Sequence, residues 1–419
     1  MISRRKFLST TLAAGMATSL IGSPWVFGRT DTRVSGKRLV VVMLRGAVDG
    51  LNVVVPYGDA AYHADRPSIA IARPNGSSGA IALDSYFGLH PALRPLLTLW
   101  EQQRLAFVHA CGSPDPTRSH FDAQDYLESG TPGNKTTADG WMNRLLATLP
   151  GPHAATEALS FSPTLPRILS GSLPVTNELP GANATRPSPL DRPWIADAFD
   201  SLYDGADPLS RAYQEAQSAR QELRADLSIS LDDEQPGLKM PSRGAPNTNG
   251  FPLLARRLGR LLNQDANIRL AFAEFGGWDT HVNQGNLTGQ LANHLQPLAE
   301  GLVVLAHELG NCFHDTVVVV MSEFGRTVSE NGNGGTDHGH GNALWLLGGA
   351  IQGGKVYGEW PGLLSTARYE GRDLAITTDF RHVLVHVIER QFRLSDQALV
   401  KLFPGLGVPQ TPLPTLLRA

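Results

Sequence analysis

The chain carries two alternating hydrophobic patterns. Arg38–Leu44 (RLVVVML), Leu105–Ala110 (LAFVHA), Ile268–Phe275 (IRLAFAEF) and Thr316–Met321 (TVVVVM) are short, largely apolar runs without regular polar alternation. Runs of this kind fit strands buried on both faces, as in a parallel sheet covered by helices. Between them, Pro91–Gln103, Phe251–Asn263 and Leu287–Leu309 read as helices, the first with proline near its start. A further amphipathic helix is expected over Asp379–Phe392. The rhythm predicts an α/β fold with a mostly parallel sheet between helical layers.

Residues 151–250 break the rhythm. Pro, Ser, Ala and Asn are frequent from Ser170 to Pro193, a helical stretch runs from Leu209 to Leu227, and Asp232–Asn249 is again loose. This stretch is expected to be an insertion or cap within the α/β domain. No internal repeat is present.

The first 30 residues differ again. Ser3-Arg4-Arg5-Lys6-Phe7-Leu8 precedes a mild apolar run, Leu12–Ile21, with the charged n-region and short h-region of a twin-arginine export signal. The run is well short of the roughly 20 residues that span a bilayer, so it reads as a signal and not a stable membrane span. The expected organisation is a signal over 1–30 and an α/β domain over 31–419, with the twin-arginine translocase as export partner and the periplasm as destination. That route carries folded proteins, often with a cofactor already loaded.

With 419 residues and a net charge of −3, the chain is large enough for ample core and lacks the basic footprint of a nucleic-acid binder. Its two cysteines, Cys111 and Cys312, exclude a disulfide framework and argue against a cysteine-based zinc site.

The chemistry gathers where apolar strands end. Asp49 follows the first run, although an Asp-Gly turn explains it nearly as well. Asp279 and His281 follow the third, in GGWDTH. Glu323 and Arg326 follow the fourth, in SEFGRT, and a glycine-rich loop then delivers Asp337, His338 and His340 just before another apolar strand. Ligands of parallel sheets bind at the carboxyl ends of strands, and His with carboxylate groups suits one or two divalent ions, zinc, manganese or calcium. Ser119 opens a helix after a proline-rich turn; its hydroxyl is either a nucleophile at the positive helix end or a plain cap. Arg118, Arg326 and Arg45 are candidates to hold an anionic group. His382 and His386 lie four apart on the late helix without a supporting carboxylate motif, and read as structural.

The twin-arginine start, VVVMLRGAVDGLN, TRSHFDAQDYLESG, FGGWDTH, SEFGRT and DHGHGNALWLLGG together resemble an exported, sulfatase-like family of unknown function within the alkaline phosphatase superfamily. The resemblance implies an alkaline-phosphatase-like three-layer sandwich. It implies Asp49 as first-strand metal ligand, Asp279 and His281 with His338 or His340 around one ion, Glu323 on the other, and a nucleophile near Ser119. Two departures stand out. Phe324-Gly325 follows Glu323 where superfamily members carry His-Gly after Asp, and the expected nucleophile position falls on His120, one residue past Ser119. The expected function is a metal-dependent periplasmic hydrolase of phosphate or sulfate esters. The alternative is a non-catalytic exported binding or assembly protein that keeps the fold, which Phe324 favours.

Overall fold

A computed structural model of the chain describes residues 36–178 except 77, much of 193–217, and 242–418 except 410–412. The signal read over 1–30, most of the helix read over 209–227 and most of the loose segment 232–249 lie outside them.

Among the described residues twelve strands are formed: β1 (Arg38–Leu44), β2 (Val54–Val55), β3 (Ile81–Ala82), β4 (Gly88–Leu89), β5 (Leu105–Gly112), β6 (Ala158–Phe161), β7 (Thr176–Glu178), β8 (Leu270–Phe275), β9 (Thr316–Ser322), β10 (Asn342–Gly348), β11 (Lys355–Tyr357) and β12 (Thr378–Asp379). Nine of them make one sheet in the order β11-β5-β10-β9-β1-β8-β6-β7, with β12 also on β5. Every pairing in it is parallel except the two made by β10. The short strands β2, β4 and β3 form a separate antiparallel sheet.

The unbroken apolar runs have a direct cause. Successive side chains of a strand point to opposite faces, and both faces of this sheet are covered. In β1, Val40, Val42 and Leu44 join one core with helices Phe251–Gln264 and Gln290–Leu309. Leu39, Val41 and Met43 join the other with Trp141–Thr148, Phe380–Phe392 and Asp396–Leu402. Fully burying each such side chain stabilises the fold by roughly 1.5–3 kcal/mol. The three-layer, mostly parallel α/β arrangement expected from the sequence is therefore present.

Three local expectations change. The stretch 151–250 is not simply a cap, because β6 and β7 extend the main sheet beyond β8. The segment read as one helix over Pro91–Gln103 begins as a 3-10 helix, Pro91–Leu96, and becomes α-helical only over Leu97–Glu101; Pro95 lies inside the first part and has no amide to donate. The extended pattern read over Leu51–Val55 starts as a short helix, Gly50–Val53, with Asp49 at its N-cap position but without a side-chain capping bond.

Two buried histidines tie loops to this scaffold as neutral rings. His90 accepts from the Ala92 amide through Nδ1 at 3.0 Å and donates from Nε2 to the Asn286 carbonyl at 2.8 Å. His109 accepts from the Ala110 amide at 3.0 Å and donates to the Val54 carbonyl at 2.9 Å. Burial lowers both to about 4, against the smaller opposing pull of the carbonyl each serves. Between about pH 6.5 and 4 the unfolded chain then binds more protons than the folded one, so stability is lost as pH falls through that window, by on the order of 3 kcal/mol per ring. We expect a lower urea midpoint at pH 5 than at pH 7; equal midpoints would contradict the neutral-ring assignment.

Candidate metal centre

One edge of the sheet collects the polar groups. Strands β5, β1, β8 and β9 run toward it, and β10, being reversed, starts from it, so the loop before β10 enters the same place as the loops after the others. Asp279 and His281 come from the turn after β8, Glu323 and Arg326 from the turn after β9, and His338 from the loop before β10. His120 opens the helix His120–Ser129 that follows β5. The turns after β9 and before β10 zip together: Gly325 donates to the His340 carbonyl at 2.9 Å, Gly339 to Gly325 at 2.8 Å and Thr327 to Asp337 at 3.0 Å. Arg326 and His338 are thereby paired across a bridge.

Three ligand atoms converge. His120 Nε2 lies 3.0 Å from His338 Nε2, His338 Nε2 lies 3.2 Å from Asp279 Oδ1, and Asp279 Oδ1 lies 3.4 Å from His120 Nε2. Ligands bonded at about 2.0–2.1 Å in a tetrahedral zinc site are separated by roughly 3.3–3.4 Å, close to this triangle. His281 joins from the more exposed side, its Nε2 3.0 Å from both His338 Nε2 and Asp279 Oδ1.

The outer nitrogens decide what the inner ones offer. His338 Nδ1 is 2.8 Å from the Arg118 carbonyl, which can only accept, so this nitrogen carries the hydrogen. His120 Nδ1 is 2.8 Å from Glu323 Oε1, and His281 Nδ1 is 3.1 Å from Asp337 Oδ1. These partners assign the hydrogen to Nδ1 in all three rings and turn a lone pair inward at each Nε2. Three lone pairs and a carboxylate at such separations repel one another unless a cation lies among them. The charges agree: Asp279, Glu323 and Asp337 against Arg326 leave two negative charges when the rings are neutral. Burial opposes ionisation of Asp279, but the close contacts of its carboxylate with His120 and His338 and the adjacent Arg326 hold it far below the ordinary carboxylate range.

Behind the cluster, Glu323 Oε1 accepts from His120, from the Gly46 amide at 2.8 Å and from Gln124 Nε2 at 2.9 Å. Gln124 Oε1 in turn accepts from Arg45 Nη1 at 2.9 Å, and Arg45 is paired to Glu128 and Glu274. Gly46 has φ +117, and a Cβ there would meet the Asp279 amide at 2.8 Å, so glycine lets β1 approach the ligand turn. Phe324 packs its ring against His120 and His338, at centroid distances of 4.9 and 5.1 Å.

Several sequence expectations are placed elsewhere. Asp49 is wholly buried, with Arg66 on both oxygens at 2.6 and 3.1 Å and Gln284 on one at 2.7 Å, so it serves an ion pair and stands outside the cluster. Glu323 and Asp337 orient histidines instead of joining the triangle. His340 stacks on Tyr369 at 4.3 Å, and burial lowers its pKa. Arg326 spends its guanidinium on Asp279 at 2.5 Å and on the carbonyls of Ala47, Gly46, Trp278 and Thr336. Arg45 is likewise committed internally, and Arg118 pairs with Asp373 and Glu370. Ser119 is exposed, and its side chain makes no capping bond.

His120 was legible only as the neighbour of Ser119. The stronger signal was the polar stripe His120, Gln124 and Glu128, four apart on one helix and buried together.

Residues 36–403 match the family profile DUF1501, a protein of unknown function. The chain belongs to the DUF1501 family. No curated protein matches it by sequence. Among solved structures, this DUF1501 chain is similar to the PsFucS1 sulfatase from Pseudoalteromonas sp. (14% identity, TM-score 0.35, covering 86% of this chain and 68% of that one). It is also similar to a protein in the alkaline phosphatase superfamily from Vibrio parahaemolyticus (11%, 0.37, 77% and 62%). A third is the zinc complex of the C-terminal periplasmic domain of EcEptC from Escherichia coli (10%, 0.36, 74% and 72%). Among the described residues, no helix is long and apolar enough to cross a membrane.

Without a metal, a proton partly answers the repulsion. Burial opposes charging His120, but its hydrogen bonds to Asp279 and Glu323 and their charges raise its pKa to about 9. Metal uptake has to expel that proton, so affinity is expected to rise about tenfold per pH unit from pH 7 to 8.5. Competition against a chelator of known proton affinity measures this, and a flat profile would remove His120 from the ligand set.

Proposed function

We propose that this DUF1501 protein is an exported, metal-dependent hydrolase of phosphate or sulfate esters that holds one divalent ion on His120, His338 and Asp279, with His281 as a fourth ligand. The observation that carries this reading is the convergence of three inward-facing imidazole nitrogens on one carboxylate oxygen. Imidazole donors with a single carboxylate suit zinc, or manganese, better than calcium, which prefers an all-oxygen shell. Such an ion, when bound, polarises an ester oxygen and stabilises the charge that develops on it.

The chain's own residues supply the rest. Glu323 and Asp337 hold the Nδ1 hydrogens and fix the ring planes, and Arg326 fixes Asp279. Ser119 presents an exposed hydroxyl directly before the ligand His120, at the positive end of the ten-residue helix His120–Ser129. It is the proposed nucleophile, and water is the alternative. Phe324 fills the space where the superfamily resemblance expects a second histidine, which supports one ion over two. Delivery by the twin-arginine translocase to the periplasm belongs to the same proposal and is supported by the Arg4-Arg5 segment.

A second reading, an exported binding or assembly protein with a non-catalytic metal centre, draws on a specific observation. Arg45 and Arg326, two of the arginines expected to clamp an anionic substrate, are buried and committed to the protein itself.

Assays on nitrophenyl phosphate and nitrophenyl sulfate separate the readings. Ser119→Ala is expected to lower turnover by on the order of 10³-fold or more while bound metal stays constant. Full activity in the variant would assign the attack to water, and a metal-loaded wild-type chain inert toward both esters would favour the second reading.

A further inference from the structure

The third expected arginine is held differently. Arg118 donates from Nε and Nη2 to one oxygen of Asp373, at 3.0 and 2.6 Å. Arg372 donates from Nε to the other oxygen at 2.9 Å. Asp373 is completely buried, so one carboxylate anchors two guanidinium groups side by side. Both are tied to the metal cluster through the same residue: the Arg118 carbonyl receives His338 Nδ1 at 2.8 Å, and Arg372 Nη2 donates to the His338 carbonyl. Unlike Arg45 and Arg326, both keep solvent-facing surface, with 25% and 47% of their side chains exposed. Two guanidinium groups on one carboxylate leave a positive charge at the surface.

The chain answers that charge with its own carboxylate. Glu370 Oε2 accepts from Arg118 Nη2 at 2.7 Å, while its side chain remains 55% exposed. Glu370 has φ +53 and Gly371 has φ +67, inside a tight turn closed by Tyr369 and Asp373 through reciprocal backbone bonds. A left-handed glutamate is unfavourable backbone, and here it holds an exposed carboxylate against a guanidinium. Exposed ion pairs are weak and exchangeable, in contrast to the buried anchor beneath this one.

We propose that Arg118 and Arg372 form an oxyanion subsite beside the metal cluster, taking a phosphate, sulfate or carboxylate group of the ligand, and that the Glu370 carboxylate fills this subsite until such a group replaces it. The subsite itself is independent of hydrolysis. Its consequence for substrate, an ester carrying a second anionic group away from the reacting bond, rests on the hydrolase reading.

Inorganic sulfate is the probe, titrated calorimetrically at low ionic strength into protein stripped of metal, so that the metal cluster takes no part. Glu370→Gln is expected to bind sulfate about threefold or more tightly than wild type, with the gain fading as salt rises. Adding Arg372→Gln, a half-exposed position, is expected to erase the gain. Equal sulfate affinity in wild type and Glu370→Gln would overturn the proposal, as would a gain that survives Arg372→Gln. Neither result bears on ester hydrolysis, which the Ser119 assay tests on metal-loaded protein.

Discussion

The site depends on an electrostatic demand that its own side chains leave unmet. Each of three imidazoles has its outer nitrogen fixed on an oxygen acceptor, so each turns a lone pair inward, and the fourth group they meet is a carboxylate. Holding such a set together without a cation is costly, and a proton on His120 meets the demand only in part. Surrounding features serve this arrangement. Arg326 pins Asp279, Glu323 pins His120 and is itself pinned by Gly46 and Gln124, and Arg45 with its two glutamates closes the chain behind Gln124.

The fold explains how residues 120, 279, 281 and 338 meet. Parallel strands send their trailing turns to one edge, and a single reversed strand, β10, lets a leading loop arrive there too. This sheet edge was legible in the sequence, because buried parallel strands betray themselves as unbroken apolar runs and glycine-rich turns mark their ends. The ranges of β1, β9 and the helices from Phe251 and Gln290 lie within a few residues of expectation. The strands β6 and β7 were hidden: each is only three or four residues long and lies in a Pro- and Ser-rich stretch with little periodicity.

The roles of individual polar residues were less legible, for a physical reason. Spacing along the chain shows that a carboxylate follows a strand, but not which partner reaches it first. Asp49 and Asp279 look alike in sequence, both trailing a buried strand beside glycine. Arg66 claims one with two hydrogen bonds, and the histidines gather on the other. The arginines show the same ambiguity: a guanidinium suited to binding an anionic substrate is equally suited to satisfying five backbone and side-chain oxygens, as Arg326 does. His120 escaped because its neighbours suggested a nucleophile, while its own stripe with Gln124 and Glu128 marked a face turned toward the sheet edge.

The most direct test is elemental analysis of the purified chain beside His120→Ala, with both forms checked for folding by circular dichroism. The account predicts about one equivalent of a transition metal in the wild-type protein and its loss from the folded variant. A folded wild-type chain that stays free of metal after exposure to zinc and manganese, or a variant that retains its full equivalent, would contradict it.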